Sequence, residues 1–354
     1  MTNARLPLQC QNPDAATTIA MKKNRGGDMN WQRLIAHGAL AGTMAALAVP
    51  SHADDASYPN KAVRIILPLA VGSSGDVFTR LFAKGLTDKL GQQFYVENMP
   101  SANGLLAAQA QLRAPADGYT ILEGTSAIIS LNPITVKDPG YDPVKDFRPV
   151  GGILRTAQIF AVPASSPIKS MKDLVEVARS AKAPLSSGTY GPLYLAAQQW
   201  FSSKADIKFN SIYYKGATGT AADLAGGQLD LAVVDLVGIL PLVKGGRVRM
   251  LAVTSERRLP DFPDLPTVQE SGFPGFVSYA WASLYVRTQT PDAVVNRLAK
   301  AMGELYQDKS IQTLMAQSPG IEMMPLGPEA MRKFQLAETE RLREIAKTAN
   351  LSPQ

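Results

Sequence analysis

Cysteine and histidine are nearly absent from this 354-residue chain, which contains one cysteine and two histidines. All three, Cys10, His37 and His52, lie within the first 53 residues. The rest of the chain therefore has no side chains for a disulfide, for a Ser-His-Asp or Cys-His catalytic centre, or for a zinc site built on His or Cys. We expect no metal site and no cofactor.

Long runs of Lys and Arg are also lacking, and no motif of a nucleic-acid-binding fold occurs. The formal net charge is +6, with 36 basic and 30 acidic residues. Five of the basic and two of the acidic residues lie in the first 53, so the remaining chain has a net charge of about +3. We therefore expect no nucleic-acid partner.

The first 53 residues have the layout of a secretory signal peptide. Positive residues at 21–25 precede an apolar run at 34–49, and small residues at 51 and 53 follow it. An apolar run of about 16 residues is short for a bilayer span. The pattern predicts cleavage after Ala53 and export to the periplasm. Asp28 does not suit a positive leader, so three starts remain open: Met1, Met21 and Met29.

From residue 57 onward, short apolar strands alternate with amphipathic helices, which predicts an α/β fold with parallel βαβ units. The first unit is a strand at 63–68 and a helix that opens at Asp76 and is closed by Gly91. The helical spacing predicts that Val77, Leu81, Leu86 and Leu90 point inward. Between them, Gly and Ser residues at 72–75 leave main-chain N–H groups at a helix N-terminus, a typical anion site. A comparable loop at 124–127 is expected to share the same rim of the sheet. Loops at 188–191 and 216–218 repeat the pattern in the second half of the chain, where Thr218 is expected to cap a helix at 221–225.

Two crossings of the chain, at 159–162 and 277–286, predict two α/β domains joined by a hinge. Residues 57–157 and 283–354 would form the first domain, and residues 158–282 the second. Glycine-lined loops that face each other across such a hinge are suited to clamping a small ligand.

Short motifs then follow one another in a fixed order, and with them the chain resembles the Bug family, the periplasmic solute-binding proteins of tripartite tricarboxylate transporters. The resemblance covers residues 57–352 and implies a non-enzymatic protein of the type II periplasmic-binding-protein fold, a Venus flytrap of two domains joined by two crossing strands. It also implies a small carboxylate as ligand and a membrane transporter as partner, and we expect a monomer. The matching motifs are Pro68-Leu69-Ala70 with Gly72, Asp76-Val77 and Arg80, then Val96-Glu97-Asn98, Asp117-Gly118-Tyr119-Thr120, Tyr214-Lys215-Gly216 and Pro263-Asp264-Leu265-Pro266.

The resemblance assigns the ligand site to four loops and one aspartate. The residues are Leu69, Val71, Gly72, Ser73, Ser74 and Gly75; Thr125, Ser126 and Ala127; Gly188, Thr189, Tyr190, Gly191 and Tyr194; and Gly216, Ala217, Thr218 and Asp235. Asp76 is expected to be a helix cap and Arg80 a structural ion pair. For Asp235, a ligand contact and a structural role both remain open.

The third loop departs from the family pattern, because Tyr190 and Tyr194 stand where small and polar residues are usual. This departure predicts a ligand with an aromatic or apolar body that carries one or two carboxylates. The alternative is that Tyr194 only packs in the core.

Two other functions remain to be weighed. Ser166-Pro-Ile-Lys169 matches the Ser-x-x-Lys motif of penicillin-recognising enzymes, but neither Ser-Asp-Asn nor Lys-Thr-Gly accompanies it. A periplasmic sensor subunit for a membrane histidine kinase would present the same liganded form as a transport protein, so the sequence does not separate these two.

Overall fold

The structure, a computed structural model, describes residues 58–349. The predicted signal peptide, its cleavage site and the three candidate starts lie outside these residues. Within residues 58–349, no helix has the length and apolar character needed to cross a membrane.

Strands and helices alternate along most of the chain, as the pattern predicts. The strands are β1 (Val63–Leu67), β2 (Phe94–Asn98), β3 (Thr120–Thr125), β4 (Phe147–Pro163), β5 (Leu185–Thr189), β6 (Phe209–Tyr213), β7 (Leu231–Asp235), β8 (Val248–Val253), β9 (Tyr279–Arg287) and β10 (Ile321–Met323). The α-helices are α1 (Ser74–Leu90), α2 (Leu105–Arg113), α3 (Asn132–Thr135), α4 (Met171–Ser180), α5 (Pro192–Ala205), α6 (Ala217–Ala225), α7 (Leu236–Lys244), α8 (Asp292–Tyr306), α9 (Lys309–Ala316) and α10 (Pro328–Thr348). A 3₁₀ turn (Ala102–Gly104) precedes α2, and a π-helix (Ala127–Leu131) follows β3.

The strands are arranged in the order β2-β1-β3-β9-β4-β7-β5-β6, with β8 and β10 also paired to β4. The α/β prediction is confirmed, but the expectation of parallel pairing holds only for the outer strands. β1 pairs in parallel with β2 and β3, and β5 with β6 and β7. The centre is antiparallel, because β9 runs against β3 and β4 and because β4 runs against β7 and β8.

β4 runs through both parts of this sheet and changes partners along its 17 residues. Up to Ala157 it pairs with β9, and from Gln158 it pairs with β7. We call the strands β1, β2, β3, β9 and β10 with their helices the first half, and the strands β5 to β8 with theirs the second half. The predicted domain boundary falls at the same point and remains a prediction.

In helix α1, packing against the core determines which face of the helix is buried. It begins at Ser74, two residues before the predicted start, and ends as predicted at Gly91, which adopts a left-handed φ of 73°. Phe78, Phe82 and Leu86 are buried in the first core, whereas Val77, which we predicted to point inward, is 46% exposed. Aromatic side chains fill more of this core than Val77 would, and they set the rotation of the helix.

In the second half, α6 begins at Ala217, with Gly216 as its N-cap. We had placed the cap at Thr218, which instead lies inside the first turn. Parallel strands β5, β6 and β7 all end at the edge from which α5, α6 and α7 begin. This edge is therefore where loops of the second half can meet a ligand.

Candidate functional site

The first loop, residues 68–75, leads from β1 into α1 and has a reciprocal cap. The Asp76 N–H donates to Ser73 Oγ over 3.2 Å, and the Gly72 N–H donates to Asp76 Oδ2 over 3.0 Å. Within the described residues, the main-chain N–H groups of Ser74 and Gly75 have no partner. These two adjacent donors lie at the positive end of the α1 dipole, where an anion is stabilised.

Asp76 is held by side chains as well as by the loop. Its Oδ1 accepts from Arg80 Nε over 3.0 Å and from Asn98 Nδ2 over 2.9 Å, and Asn98 also donates to the Leu69 carbonyl over 3.0 Å. Burial opposes its ionisation, but the bonds from Arg80, Gly72 and Asn98 prevail and hold its pKa below the usual range. Arg80 forms the ion pair we expect, with Asp76. The N-cap, however, is Ser73 rather than Asp76, which lies inside the first turn and accepts from the Gly72 N–H.

The other first-loop residues of the predicted site differ in their exposure to solvent. Val71 is 75% exposed and Gly72 is also exposed, Leu69 and Ser73 are half-buried, and Ser74 and Gly75 are buried. Gly75 has no room for a side chain, because a Cβ there would lie 2.5 Å from Leu69 Cδ1. Main-chain groups rather than side chains are thus what the inner part of this loop offers.

The second loop lies beside the first, because β1 and β3 are parallel neighbours. Thr125 is half-buried, and its Oγ1 accepts from the Ile128 N–H over 3.4 Å. Ser126 is 3% exposed, and its Oγ accepts from the Trp281 N–H over 3.4 Å. Ala127 opens the π-helix and is 8% exposed. Of these three predicted residues, Thr125 is the one most open to a ligand.

A second helix N-terminus faces the first loop from the other half. A Cβ built on Gly216 would lie 3.9 Å from Cβ of Ala70, so the two loops come into contact distance. Helix α6 has no side-chain cap, and within the described part of the chain the N–H groups of Ala217 and Thr218 have no partner. The predicted site residues 72–75 and 216–218 are thereby brought together, each with free main-chain donors.

Asp235 is fully engaged with protein donors. Its Oδ1 accepts from the Gly238 N–H over 2.9 Å and caps α7, and its Oδ2 accepts from the hydroxyls of Tyr190 and Tyr194. Burial, followed by the nearby Asp235 charge, raises the pKa of both tyrosines well above the ordinary value. This geometry favours the structural role over a direct ligand contact.

The two tyrosines differ in what they offer. Their ring centroids are 4.9 Å apart at an interplanar angle of 48°. Tyr194 is 8% exposed and packs in the core of the second half, as our alternative held, whereas Tyr190 is half-buried. Tyr190 is therefore the aromatic surface of this pair that a ligand can reach.

The remaining predicted residues of the third loop serve the packing of the chain. A Cβ on Gly188 would lie 2.4 Å from Leu229 Cδ1, and one on Gly191 would lie 2.6 Å from Tyr194 Cδ2. Thr189 is fully buried, and its Oγ1 has no partner in the described structure. Gly188 and Thr189 are therefore buried, whereas Gly191 is half-buried and packs against Tyr194.

Glu123 is the residue near this site that our sequence analysis missed. It is fully buried in β3, its Oε1 accepts from Thr79 Oγ1 over 2.9 Å, and its Oε2 has no partner among the described residues. Burial, with a smaller contribution from Asp76, raises its pKa to about 8. A single acid within the apolar strand Ile121-Leu122-Glu123 was the available signal.

The Ser-x-x-Lys match has a structural explanation. The Ser166 Oγ accepts from the Ile168 N–H over 3.3 Å in a local turn, and the Ser166 carbonyl accepts from Arg249 over 3.0 Å. The Lys169 N–H donates to Asp173 at the start of α4. The motif therefore belongs to the turn that leads into a helix.

Comparisons with known proteins agree with this architecture. The family model described as the tripartite tricarboxylate transporter family receptor matches residues 78–351. A UPF0065 protein of Bordetella bronchiseptica is 30% identical over 321 residues, which are 89% of this chain and 93% of the relative.

Solved structures show the same likeness. Rpa4515 of R. palustris with adipate has a TM-score of 0.80 and 30% identity, and the match covers 84% of this chain and all of that one. The periplasmic binding protein BugD has a TM-score of 0.77 and 29% identity over 84% of this chain and all of its own. The predicted periplasmic-binding-protein-like fold is confirmed. The chain belongs to the tripartite tricarboxylate transporter receptor family, the Bug-type periplasmic solute-binding proteins.

Proposed function

We propose that this protein captures a small carboxylic acid between its two halves in the periplasm and delivers it, as a monomer, to a tripartite tricarboxylate-type membrane transporter. The first loop would bind one carboxylate, and the N-terminus of α6 would bind the far end of the ligand. Closure about the β4 and β9 crossings would enclose the acid, as in hinged two-domain binding proteins.

The proposal depends above all on two sets of main-chain donors, one on each loop, that have no partner within the described residues. Ser74 and Gly75 offer one pair of N–H groups, and Ala217 and Thr218 offer the other. The loops that carry them lie close together, because a Cβ built on Gly216 would be 3.9 Å from Ala70 Cβ. Two helix N-termini attract two negative charges, so a dicarboxylate is the ligand class that uses both. The adipate in the related R. palustris structure is such an acid.

The body of the ligand would pass beside Tyr190. Tyr190 is half-buried and donates to Asp235, the cap of α7, and Val71 is exposed within the first loop itself. An aromatic or apolar body would bury both and gain the hydrophobic and ring-contact energy that a short polar acid lacks. We therefore expect terephthalate or adipate to bind more tightly than malate.

Calorimetric titration of the exported protein with terephthalate, benzoate, adipate and malate tests these statements. We expect submillimolar binding of at least one dicarboxylate and none of its dimethyl ester, because the ester has no charge. Tight binding of malate with no binding of the other three would contradict the aromatic or apolar body, and equal binding of acid and ester would contradict the carboxylate site.

Proline substitutions test the two donor sets without removing the helices. Ser74 and Ala217 are the first residues of α1 and α6, where proline is tolerated, and the residues before them are extended. Ser74→Pro removes one N–H from which the ligand carboxylate would accept a hydrogen bond, so we expect affinity to fall by about 10- to 100-fold. Ser74→Ala is the matched control and should change affinity by less than about threefold. Ala217→Pro tests the other end in the same way.

A further inference from the structure

Glu123 lies directly beneath the first turn of α1. A Cβ on Gly75 would be 3.1 Å from Glu123 Oε1 and 3.8 Å from Oε2, so the carboxyl group lies against the residue that carries one of the free N–H groups. The side chain is completely buried, and Oε2 has no partner in the described structure. The apolar side chain of Leu69 lies on the same side of Gly75, because its Cδ1 would be 2.5 Å from a Cβ on Gly75.

The groups that face Glu123 from α1 disfavour a second negative charge. Thr79 donates its hydroxyl to Oε1, and Asp76 adds a negative charge at the same helix end. Arg80 is the nearby cation, but its guanidinium is engaged by Asp76 and Asn98. Glu123 is consequently neutral at neutral pH, with its pKa raised to about 8 by burial and, to a lesser extent, by Asp76.

The neighbouring strands add no compensating charge. β9 places Leu284 opposite Glu123, and the alternation of the strand turns Tyr285 and Arg287 to the other face of the sheet. β1 carries a single charged residue, Arg64, which pairs with a glutamate of β2 over 3.3 Å. Ionised Glu123 would thus repel an anion bound at Ser74 and Gly75 through a protein interior with little screening.

We infer that Glu123 sets the affinity of the first loop for a carboxylate: the loop binds the anion while Glu123 is protonated and loses affinity when Glu123 ionises. The inference rests on the proposed function, since it concerns the same anion site. It adds a positioning residue that does not itself touch the ligand, and it makes capture of the acid stronger in neutral or mildly acidic surroundings than in alkaline ones.

Titration calorimetry of the exported protein between pH 6 and pH 9 tests the inference, with the tightest binder among terephthalate, benzoate, adipate and malate as the probe. These acids are already ionised throughout this range, so their own titration adds no slope. If only the protonated form of Glu123 binds, the dissociation constant should rise about tenfold between pH 7 and pH 9. In Glu123→Gln, which keeps the shape but not the titration, it should change by less than about twofold.

Asp88→Asn is the matched control. It makes the same carboxyl-to-amide change on α1, at a side chain that is 61% exposed and paired with Lys84. This variant should keep the pH dependence of the wild type. An equal pH slope in wild type and Glu123→Gln would overturn the inference alone. Absence of binding by all proteins, with all four acids and at every pH, would overturn the proposed function as well.

Carbon-13 NMR of the wild type provides a readout that needs no variant. The Glu123 carboxyl should titrate near pH 8. The probe acid, at about ten times its dissociation constant, should raise the midpoint by about one pH unit, because binding and protonation are linked. A midpoint that does not move on binding would contradict the inference even if Glu123→Gln failed to fold.

Discussion

Each half of this protein places one aspartate at a helix N-terminus of the candidate site, and the two aspartates are satisfied in different ways. Asp76 has a cation beside it, Arg80, together with the amide of Asn98. Asp235 has no cation among its hydrogen-bond donors in the described residues 58–349, and it relies on Tyr190, Tyr194 and a main-chain N–H. In both halves, however, the acid is used internally and the free donors are main-chain groups. An anion site can therefore contain acidic residues, provided that the protein occupies their oxygens first.

The largest expected effect comes from removing Asp235, because its partners are buried. Asp235→Ala deletes the α7 cap and leaves two tyrosine hydroxyls without an acceptor, which together should lower the free energy of unfolding by about 3 to 5 kcal/mol. Urea unfolding followed by circular dichroism measures it. The matched control is Asp223→Ala, which removes the single Tyr214 hydroxyl bond on a partly exposed helix and should cost about 1 kcal/mol. An equal loss of unfolding free energy in Asp235→Ala and Asp223→Ala would contradict the special role of Asp235.

The pH dependence of stability distinguishes Glu123 from Asp76, the two acidic residues next to the first loop. Glu123 has an ordinary pKa of 4.5 and a folded-state pKa of about 8, so between these values the unfolded chain is ionised while the folded chain keeps its proton. The contribution of Glu123 to the free energy of unfolding is therefore fully present below pH 4.5. It falls by about 1.4 kcal/mol per pH unit as the pH rises to 8.

Wild type and Glu123→Gln should therefore diverge as pH rises from 5.5 to 7.5, by about 3 kcal/mol in all, in urea unfolding curves measured at each pH. Asp76 behaves in the opposite sense, because its lowered pKa adds stability above its ordinary pKa that is lost as pH falls through the folded value. Parallel curves for wild type and Glu123→Gln would show that Glu123 is ionised in the folded protein.

Two glycines test how tightly each loop is built. Gly75→Ala would place its Cβ 2.5 Å from Leu69 Cδ1, so we expect a loss of about 1 to 3 kcal/mol in unfolding free energy. Gly216→Ala meets nothing closer than 3.9 Å and has an extended backbone, so its stability should stay within about 0.5 kcal/mol of wild type. Thermal unfolding of both variants measures the difference. An unchanged unfolding free energy in Gly75→Ala would contradict close packing of Gly75 against Leu69.

The smallest expected effect is that of Tyr190→Phe. The change removes one hydroxyl from Asp235, while Tyr194 and the Gly238 N–H remain as donors, so it should cost about 1 kcal/mol or less. Its ring persists, and affinity for an aromatic acid should persist with it. Tyr190→Ala removes the ring, and calorimetry should then show a selective loss for terephthalate relative to adipate. Equal losses for both acids would argue against contact with the ring.

Most strands and helices could be predicted from local sequence patterns. The Gly/Ser loop, the apolar strands and the C-terminal glycine of α1 predict β1 and α1 to within two residues. The antiparallel centre could not be predicted in the same way, because it depends on which strands cross, and a crossing strand such as β9 has the same apolar composition as a parallel one. The prediction for Val77 was wrong for a similar reason, since packing of the neighbouring aromatic side chains decided which residues of α1 are buried, whereas Leu86 is buried as predicted.

For the candidate site, the sequence located the loops but not the bonding of their side chains. That Asp235 is saturated follows from the positions of Tyr190 and Tyr194, 45 and 41 residues away in the chain. Glu123 approaches α1 because β3 lies beside β1, a long-range pairing that no local motif encodes. Helix N-termini are local features, and for this reason the loops that carry the free main-chain donors could be predicted.

A crystal structure of the protein with a bound dicarboxylate tests the central claim most directly. The account predicts a carboxylate oxygen within about 3.2 Å of the main-chain nitrogens of Ser74 and Gly75, with the far end of the acid at the N-terminus of α6. An acid bound elsewhere, for example in the groove lined by Pro192, Gln199 and Tyr213, with Ser74 and Gly75 left free, would contradict it.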